Sequence, residues 1–453
     1  MIGTTPQHKK SIVHSRLSER SVVIVCPDAR PPAYELVRGL AEQGLANRFA
    51  TGYYHVSRWW HRPLGRTASG SRFLGSLERR RIPNVAHETV EAFASYDLSI
   101  RLENRLASRW PKLRGRAARR RTERFDRQTA ERMSARADDG AQIAVFFSDV
   151  GSDHAMAAAK RCGLKVVLSM VTGHMDEEIE VLEREKTRSP QFCPAYLGDG
   201  ALDMDELRWL HERRRRDLEQ ADLILTPSEH IANLVVERSG VPRDRVRVIP
   251  YAADARRFVP CPKYVSEERC RFLFAGGITQ RKGLSDLLDA WSRLRRPGWS
   301  LTMVGEAPRL ARALIPADDA TIELVGRVPY GEMPRLMAAH DVFVFPSLFE
   351  GSAVVCYEAL ASGLPVITTP QAGSVVRSGT DGTIVPAADA HALAAAMIEL
   401  GLSPHLRESY SRNARNRAME HTWDHYRERV IDALGSLTTG HGHLPDERHG
   451  SVE

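Results

Sequence analysis

Apolar residues in this chain gather into short β-branched runs, separated by stretches with helical spacing. Residues 21–27 (SVVIVCP), Ile143–Phe147 and residues 165–170 have consecutive apolar positions, the mark of strands buried on both faces. Residues 32–44 close on a glycine as helices do, and residues 153–162 supply a helix between two of these strands. Farther along, residues 272–274, 301–305 and 322–328, Val342–Phe345 and residues 366–369 repeat the strand pattern. Residues 407–434 read as one or two amphipathic helices with Trp423, Tyr426 and Ile431 inward. Strand, helix, strand in repeating order predicts parallel sheets joined by right-handed crossovers. At 453 residues and 42% apolar, the chain is long enough to bury two such cores.

Residues 343–370, FVFPSLFEGSAVVCYEALASGLPVITTP, carry the clearest chemistry. Glu350 and Glu358 stand eight positions apart around a strand–loop–helix corner. Glu350 falls at the carboxyl end of a buried strand, where open α/β sheets bind ligands. Gly351 and Ser352 open the helix, so the N–H groups of Gly351, Ser352, Ala353 and Val354 are expected to face an anion. Glu358 lies about two turns in, roughly 10 Å along the axis, within reach of a ribose attached to that anion. A carboxylate for a sugar, N–H groups for a diphosphate and a carboxylate for a ribose describe a sugar-nucleotide site. A second block, residues 272–291, runs strand, glycine turn (Gly276, Gly277), cations (Arg281, Lys282, then Gly283) and helix, which also suits a diphosphate.

Residues 350–358 resemble the E-x7-E motif of the retaining glycosyltransferases of family 4 (glycosyl transferases group 1), which have the GT-B fold. The resemblance implies that Glu350 contacts the donor sugar and Glu358 the ribose. Residues 276–283 resemble that family's G-R-L-x-x-x-K-G loop, whose Arg and Lys hold the donor phosphates. Lys282 matches the Lys, Gly277 occupies the usual Arg position, and Arg281 is the neighbouring substitute. The loop matching Gly326, Arg327 and Val328 packs on the nucleotide base in that family. Residues 221–258 resemble the end of the first domain and its linker, with Ala252-Ala253-Asp254 for the usual Gly-Val-Asp. Losing that glycine is expected to stiffen the hinge. The resemblance spans about residues 140–430. It implies two doubly wound Rossmann-like domains facing across a cleft, and a last helix that crosses back onto the first.

The domain division expected is a flexible start (1–19), an acceptor-side lobe (20–258), a nucleotide-sugar lobe (259–404), crossing helices (405–436) and a disordered tail (437–453). The opening βα unit offers Asp28, Ala29 and Arg30 instead of a glycine pair, so it reads as fold and not as a phosphate loop. His174 follows the strand at 165–170, and the Thr172-Gly173 turn would face its imidazole to the cleft. Many family members carry a histidine at that strand end, which makes His174, with Glu350 and Lys282, a catalytic candidate. The acidic run Asp176, Glu177, Glu178 and Glu180 reads as the charged first turn of a helix.

Six scattered cysteines suggest neither a disulfide framework nor a zinc knuckle, and no other metal-ligand cluster is visible. There is no apolar run long enough for a secretory leader or a membrane span, so a cytoplasmic protein is expected, at most peripheral on the inner face of the membrane. Residues 101–136 hold twelve Arg and one Lys against four acids, a local charge of +9. The whole chain is +7, so the remainder sums to −2. Leu102, Leu106 and Trp110 form an apolar stripe that Pro111 interrupts. A solvated basic helix, an anionic membrane surface and nucleic acid compete for this segment; without interleaved aromatics or a reading module, nucleic acid comes last.

The reading is glycosyl transfer, with retention and without a cofactor or metal, from a UDP- or GDP-sugar to a hydroxyl of a saccharide or lipid-linked glycan. An arginine- and alanine-rich composition hints at bacterial polysaccharide or glycolipid synthesis. An epimerase or phosphorylase on the same architecture, or a catalytically silent binding protein of this fold, stays open.

Overall fold

A computed structural model describes residues 21–54, 80–93, 96, 111–197, 204–261 and 267–437, apart from 29 and 295, together with Leu17. The expected flexible start and tail, and the stripe of Leu102, Leu106 and Trp110, lie outside the described residues, Leu17 and Leu437 excepted.

Among the described residues, two all-parallel sheets build the molecule. The first comprises β1 (Val22–Val25), β2 (Ala46–Thr51), β3 (Val90–Ala92), β4 (Ile143–Phe147), β5 (Lys165–Ser169), β6 (Leu223–Thr226) and β7 (Val246–Val248). Its order is β3-β2-β1-β4-β5-β6-β7. The second comprises β8 (Cys270–Ala275), β9 (Trp299–Val304), β10 (Ile322–Gly326), β11 (Val342–Phe345), β12 (Val366–Thr368) and β13 (Gly382–Ile384), ordered β10-β9-β8-β11-β12-β13. Central strands β1, β4 and β11 are buried at every residue, as helices on both faces require. Each sheet reverses its winding once, between β1 and β4 and between β8 and β11. Those two switch points are where doubly wound sheets leave a crevice beyond their strand ends.

The lobes are joined covalently twice. Residues 249–261 lead from the first sheet to the second, and Arg415 fastens this link by donating to the carbonyls of Phe258 (2.8 Å), Ala361 (2.8 Å) and Ala255 (3.1 Å). Ala252 and Ala253, which stand for the usual glycine and valine, are both buried, and Ala253 forms a bridge with Thr422. The helices at the end are two, Pro404–Glu420 and Trp423–Ser436. The second returns to the first lobe and packs on the helix Pro31–Glu42, where Arg427 lies across Gly39 and pairs with Glu35.

The basic segment is helical over Pro111–Glu131, and the residues that immediately precede Pro111 lie outside the described ones. Much of the inward charge is matched. Arg136 is buried against Glu91, Arg119 lies 5.4 Å over Trp209 and Arg121 lies 5.1 Å over Tyr96. Arg116, Arg120, Arg124 and Arg127 stay exposed along one side, at helical spacing.

Candidate functional site

The loops after β8 and β11 meet at the switch point of the second sheet. Gly276 ends β8 with φ +152° and donates its N–H to the Val304 carbonyl (2.9 Å). A Cβ on Gly305, which follows β9, would stand 1.8 Å from the Gly276 carbonyl, so the two turns touch only because glycine occupies position 305. Gly277 differs: a Cβ there meets nothing nearer than Thr279 Cγ2 at 4.0 Å. No packing demands glycine at 277, and a side chain has room.

The cations sit on a single helical turn, Gln280–Lys282, which ends on Gly283 at φ +76°. A Cβ on Gly283 would be 2.0 Å from the Pro346 carbonyl, so the turn rests on the end of β11. Leu348 donates its N–H to the Arg281 carbonyl (2.9 Å), and Ser347 Oγ donates to the same oxygen (3.2 Å). These bonds align the two loops and set Glu350 against Lys282, with which it forms an ion pair; the Arg281 guanidinium stands 4.0 Å from the other carboxylate oxygen. Burial, then the neighbouring Arg281, pushes the Lys282 ammonium well below the ordinary lysine range. An anionic ligand beside this turn would favour the charged form of Lys282.

The helix after Glu350 starts later than its sequence suggests. It runs Val354–Ala361, and the Ala353 N–H donates to the Ala372 carbonyl (2.9 Å) instead of facing a ligand. Ser352 is likewise engaged, its Oγ donating to the Gly373 carbonyl (2.7 Å). Of the expected N–H groups from 351 to 354, that of Ala353 is thus taken, while Ser352, Ala353, Val354 and Val355 all line the cleft. Glu358 consequently lies one turn inside the helix and not two. It is 7% exposed, accepts from Tyr330 Oη (2.9 Å), and is pushed by burial to a pKa of about 7.

Gly276, Gly277, Lys282, Arg327, Val328, Glu350, Ser352, Ala353, Val354 and Glu358 all line one open cleft of roughly 380 Å³. Three of the expected donor-binding residues stand outside this lining. Gly326 supports it by accepting the Gly305 N–H (2.9 Å), Arg281 reaches it only through Glu350, and Gly351 is held by the opposite lobe. A Cβ on Gly351 would lie 2.5 Å from the Val171 carbonyl, so the lobes meet at the rim of the cleft. Arg327 is 79% exposed and pairs with Glu306 (2.5 Å) at the rim of the cleft.

His174 is not where the sequence placed it. Its ring is fully buried: Nδ1 accepts the Asp176 N–H (3.3 Å) and caps the helix Met175–Arg188, and Nε2 hydrogen-bonds Ser239 Oγ (2.8 Å). Both nitrogens are spent inside the first lobe, and its protonation is disfavoured chiefly by burial. The acidic run does form the first turn of that helix, although Glu177 pairs with His230 (2.7 Å) and Glu178 with His211 and Arg214 (3.1 Å each). Tyr330 was missed. It follows Pro329 and opens the short 3-10 turn Tyr330–Glu332, far from Glu358 in sequence, and no local pattern marks it.

Residues 269–401 match the family model described as Glycosyl transferases group 1, and residues 151–257 match Glycosyltransferase Family 4. The chain belongs to the group 1, family 4 type and has the GT-B fold. Among curated relatives of this glycosyltransferase, the putative colanic acid biosynthesis glycosyltransferase WcaL of Escherichia coli (strain K12) is 29% identical over 189 residues, 39% of this chain and 46% of WcaL. The O-antigen chain mannosyltransferase B of Escherichia coli is 23% identical over 266 residues, 54% of this chain and 67% of that one. The chain thus spans about half the length of curated relatives such as WcaL. Sucrose-phosphate synthase from Thermosynechococcus elongatus superposes with a TM-score of 0.62 at 16% identity, covering 92% of this chain and 99% of that one. Anabaena Alr3699/HepE in complex with UDP-glucose gives 0.58 at 14% identity, covering 92% and 100%. These structures share its two-lobed architecture.

Proposed function

We propose that this glycosyltransferase moves a sugar from a nucleoside-diphosphate sugar to a hydroxyl of a saccharide or lipid-linked glycan, with retention of anomeric configuration, in polysaccharide or glycolipid synthesis. One observation carries the reading: Lys282, Glu350 and Glu358 line the same cleft at the switch point of the second sheet. The bond from the anomeric carbon to the diphosphate breaks, the acceptor oxygen takes its place, and the hydroxyl proton leaves with the nucleoside diphosphate. Charge develops on the departing phosphate oxygen, beside the Lys282 ammonium, the N-terminus of the helix Val354–Ala361 and, once Glu350 turns to the sugar, Arg281. Glu358 takes the ribose hydroxyls. Chemistry of this kind needs no cofactor from the protein. The similarity to HepE, which holds UDP-glucose, favours a uridine donor. The exposed row Arg116, Arg120, Arg124 and Arg127 meets anionic headgroups of the membrane that carries the acceptor.

A panel of UDP-, GDP- and ADP-sugars, titrated calorimetrically and then assayed with acceptors by NMR of the product anomer, tests this directly. Lys282→Ala should lower turnover by about a hundredfold or more. Nucleotide binding without transfer supports the silent-protein alternative, and turnover of donor alone supports an epimerase. Inverted product, or a fully active Lys282→Ala enzyme, overturns the proposal.

A further inference from the structure

The turn that carries Arg281 and Lys282 begins with Gln280, a residue with no assigned part in donor binding, and its side chain crosses between the lobes. Gln280 is fully buried. Its Nε2 donates to Glu185 Oε2 (2.6 Å) and to Ser285 Oγ (2.7 Å), and its Oε1 accepts the Ser285 N–H (3.0 Å). Glu185 belongs to the helix Met175–Arg188 of the first lobe and is itself fully buried. Arg188 of the same helix spans the junction as a fork: Nε and Nη2 donate to Glu185 (3.0 and 2.9 Å), and Nη1 and Nη2 donate to Asp286 of the second lobe (2.6 and 2.9 Å). A further interlobe bond runs from the Arg281 N–H to the Tyr196 carbonyl (3.2 Å). Leu348, whose N–H holds the Arg281 carbonyl, is buried among Val181, Leu182, Tyr196 and Leu207 of the first lobe.

Both halves of the diphosphate grip therefore hang from the first lobe, the cationic turn through Gln280 and the Glu350 loop through Leu348. A water-filled gap would satisfy Glu185 and Gln280 separately, but a buried amide and carboxylate have each other as partners only when the lobes are together. We propose that Gln280 is a positioning residue: its bond to Glu185 fixes the turn bearing Arg281 and Lys282 to the acceptor-side lobe, so that the donor diphosphate is held for reaction only while the lobes are closed. This rests on the glycosyltransferase reading above for its kinetic consequence, and on the geometry alone for its structural one.

The experiment compares wild type, Gln280→Ala, Gln280→Glu and the reversed pair Glu185→Gln with Gln280→Glu. Gln280→Glu sets two carboxylates against each other, whereas the reversed pair restores one amide and one carboxylate at the same junction. With the preferred nucleotide sugar, Gln280→Ala and Gln280→Glu should lower kcat about ten- to a hundredfold, the cost of a small misplacement. Donor KM should change less than about threefold, because the second lobe still holds its own loops. The reversed pair should recover to within about fivefold of wild type. Small-angle scattering should show a larger radius of gyration for Gln280→Glu and a normal one for the reversed pair, whether or not a donor has been found. Unchanged kcat in Gln280→Ala, or a reversed pair as impaired and as open as Gln280→Glu, overturns the proposal. An inactive wild type whose scattering still follows the swap leaves the latch standing and removes the glycosyl-transfer reading instead.

Discussion

Glu358→Gln tests the proposed ribose role of this carboxylate through pH. In the folded protein this carboxyl lies at about 7 in place of 4.5, chiefly because it is buried. A carboxyl raised on folding contributes stability that is fully present below pH 4.5 and is lost as pH rises through about 7. A displacement of that size corresponds to about 3 kcal/mol, and with Glu358 almost wholly buried there is little solvent to screen it. Glutamine keeps the oxygen that accepts from Tyr330 and has no proton to lose. Urea denaturation of both proteins at pH 5 and pH 8 should therefore show the Glu358→Gln protein gaining about 2.5 kcal/mol on wild type between the two conditions, since part of the loss has already occurred at pH 5. Asp217, which burial also raises to about 7, is common to both and cancels. Ribose hydroxyls donate to the ionised form, so nucleoside diphosphate should bind wild type more tightly as pH rises from 5 to 8, with proton release visible in calorimetry across buffers of different ionisation enthalpy. The variant should bind about tenfold more weakly at pH 8, with no pH dependence from this group. Parallel stability profiles, or equal proton release, would refute the assignment.

Gly277→Arg should tighten the donor about fivefold in KM, since a charge-assisted hydrogen bond of about 2 kcal/mol is partly offset by side-chain ordering. Weaker binding would mean that position 277 does not face the diphosphate. His174→Ala should cost about 1–2 kcal/mol of stability, from a lost helix cap and the Ser239 bond, with kcat unchanged in the folded enzyme; a thousandfold drop in kcat with normal melting would restore it to the catalytic set. Replacing Arg116, Arg120, Arg124 and Arg127 by Glu should abolish co-sedimentation with phosphatidylglycerol vesicles at low salt. Equal retention of wild type on phosphatidylcholine vesicles would argue against a charge-based membrane contact.

The strands were legible because parallel sheets bury both faces: Ile143–Phe147 and Val342–Phe345 appear with the bounds their apolar runs imply. The cleft was legible where loops follow strands directly, as at Gly276, Lys282 and Glu350. What escaped depends on contacts between distant segments. The helix start at Val354 is decided by the Ala372 carbonyl, which takes the Ala353 N–H. His174 turned inward because Ser239, from another helix, offered a partner. Tyr330 and Gln280 have no local signature, since each acquires its role from a carboxylate far away in the chain.

The return of helix Trp423–Ser436 to the opening helix Pro31–Glu42 has a consequence for biosynthesis. The first lobe begins to emerge from the ribosome long before the segment that covers it has been translated. Until residue 427 is available, Glu35 has no Arg427 opposite it and the surface around Gly39 stays bare. The amino-terminal lobe must wait, open on one side, until the segment that carries Arg427 has been made before its packing is complete.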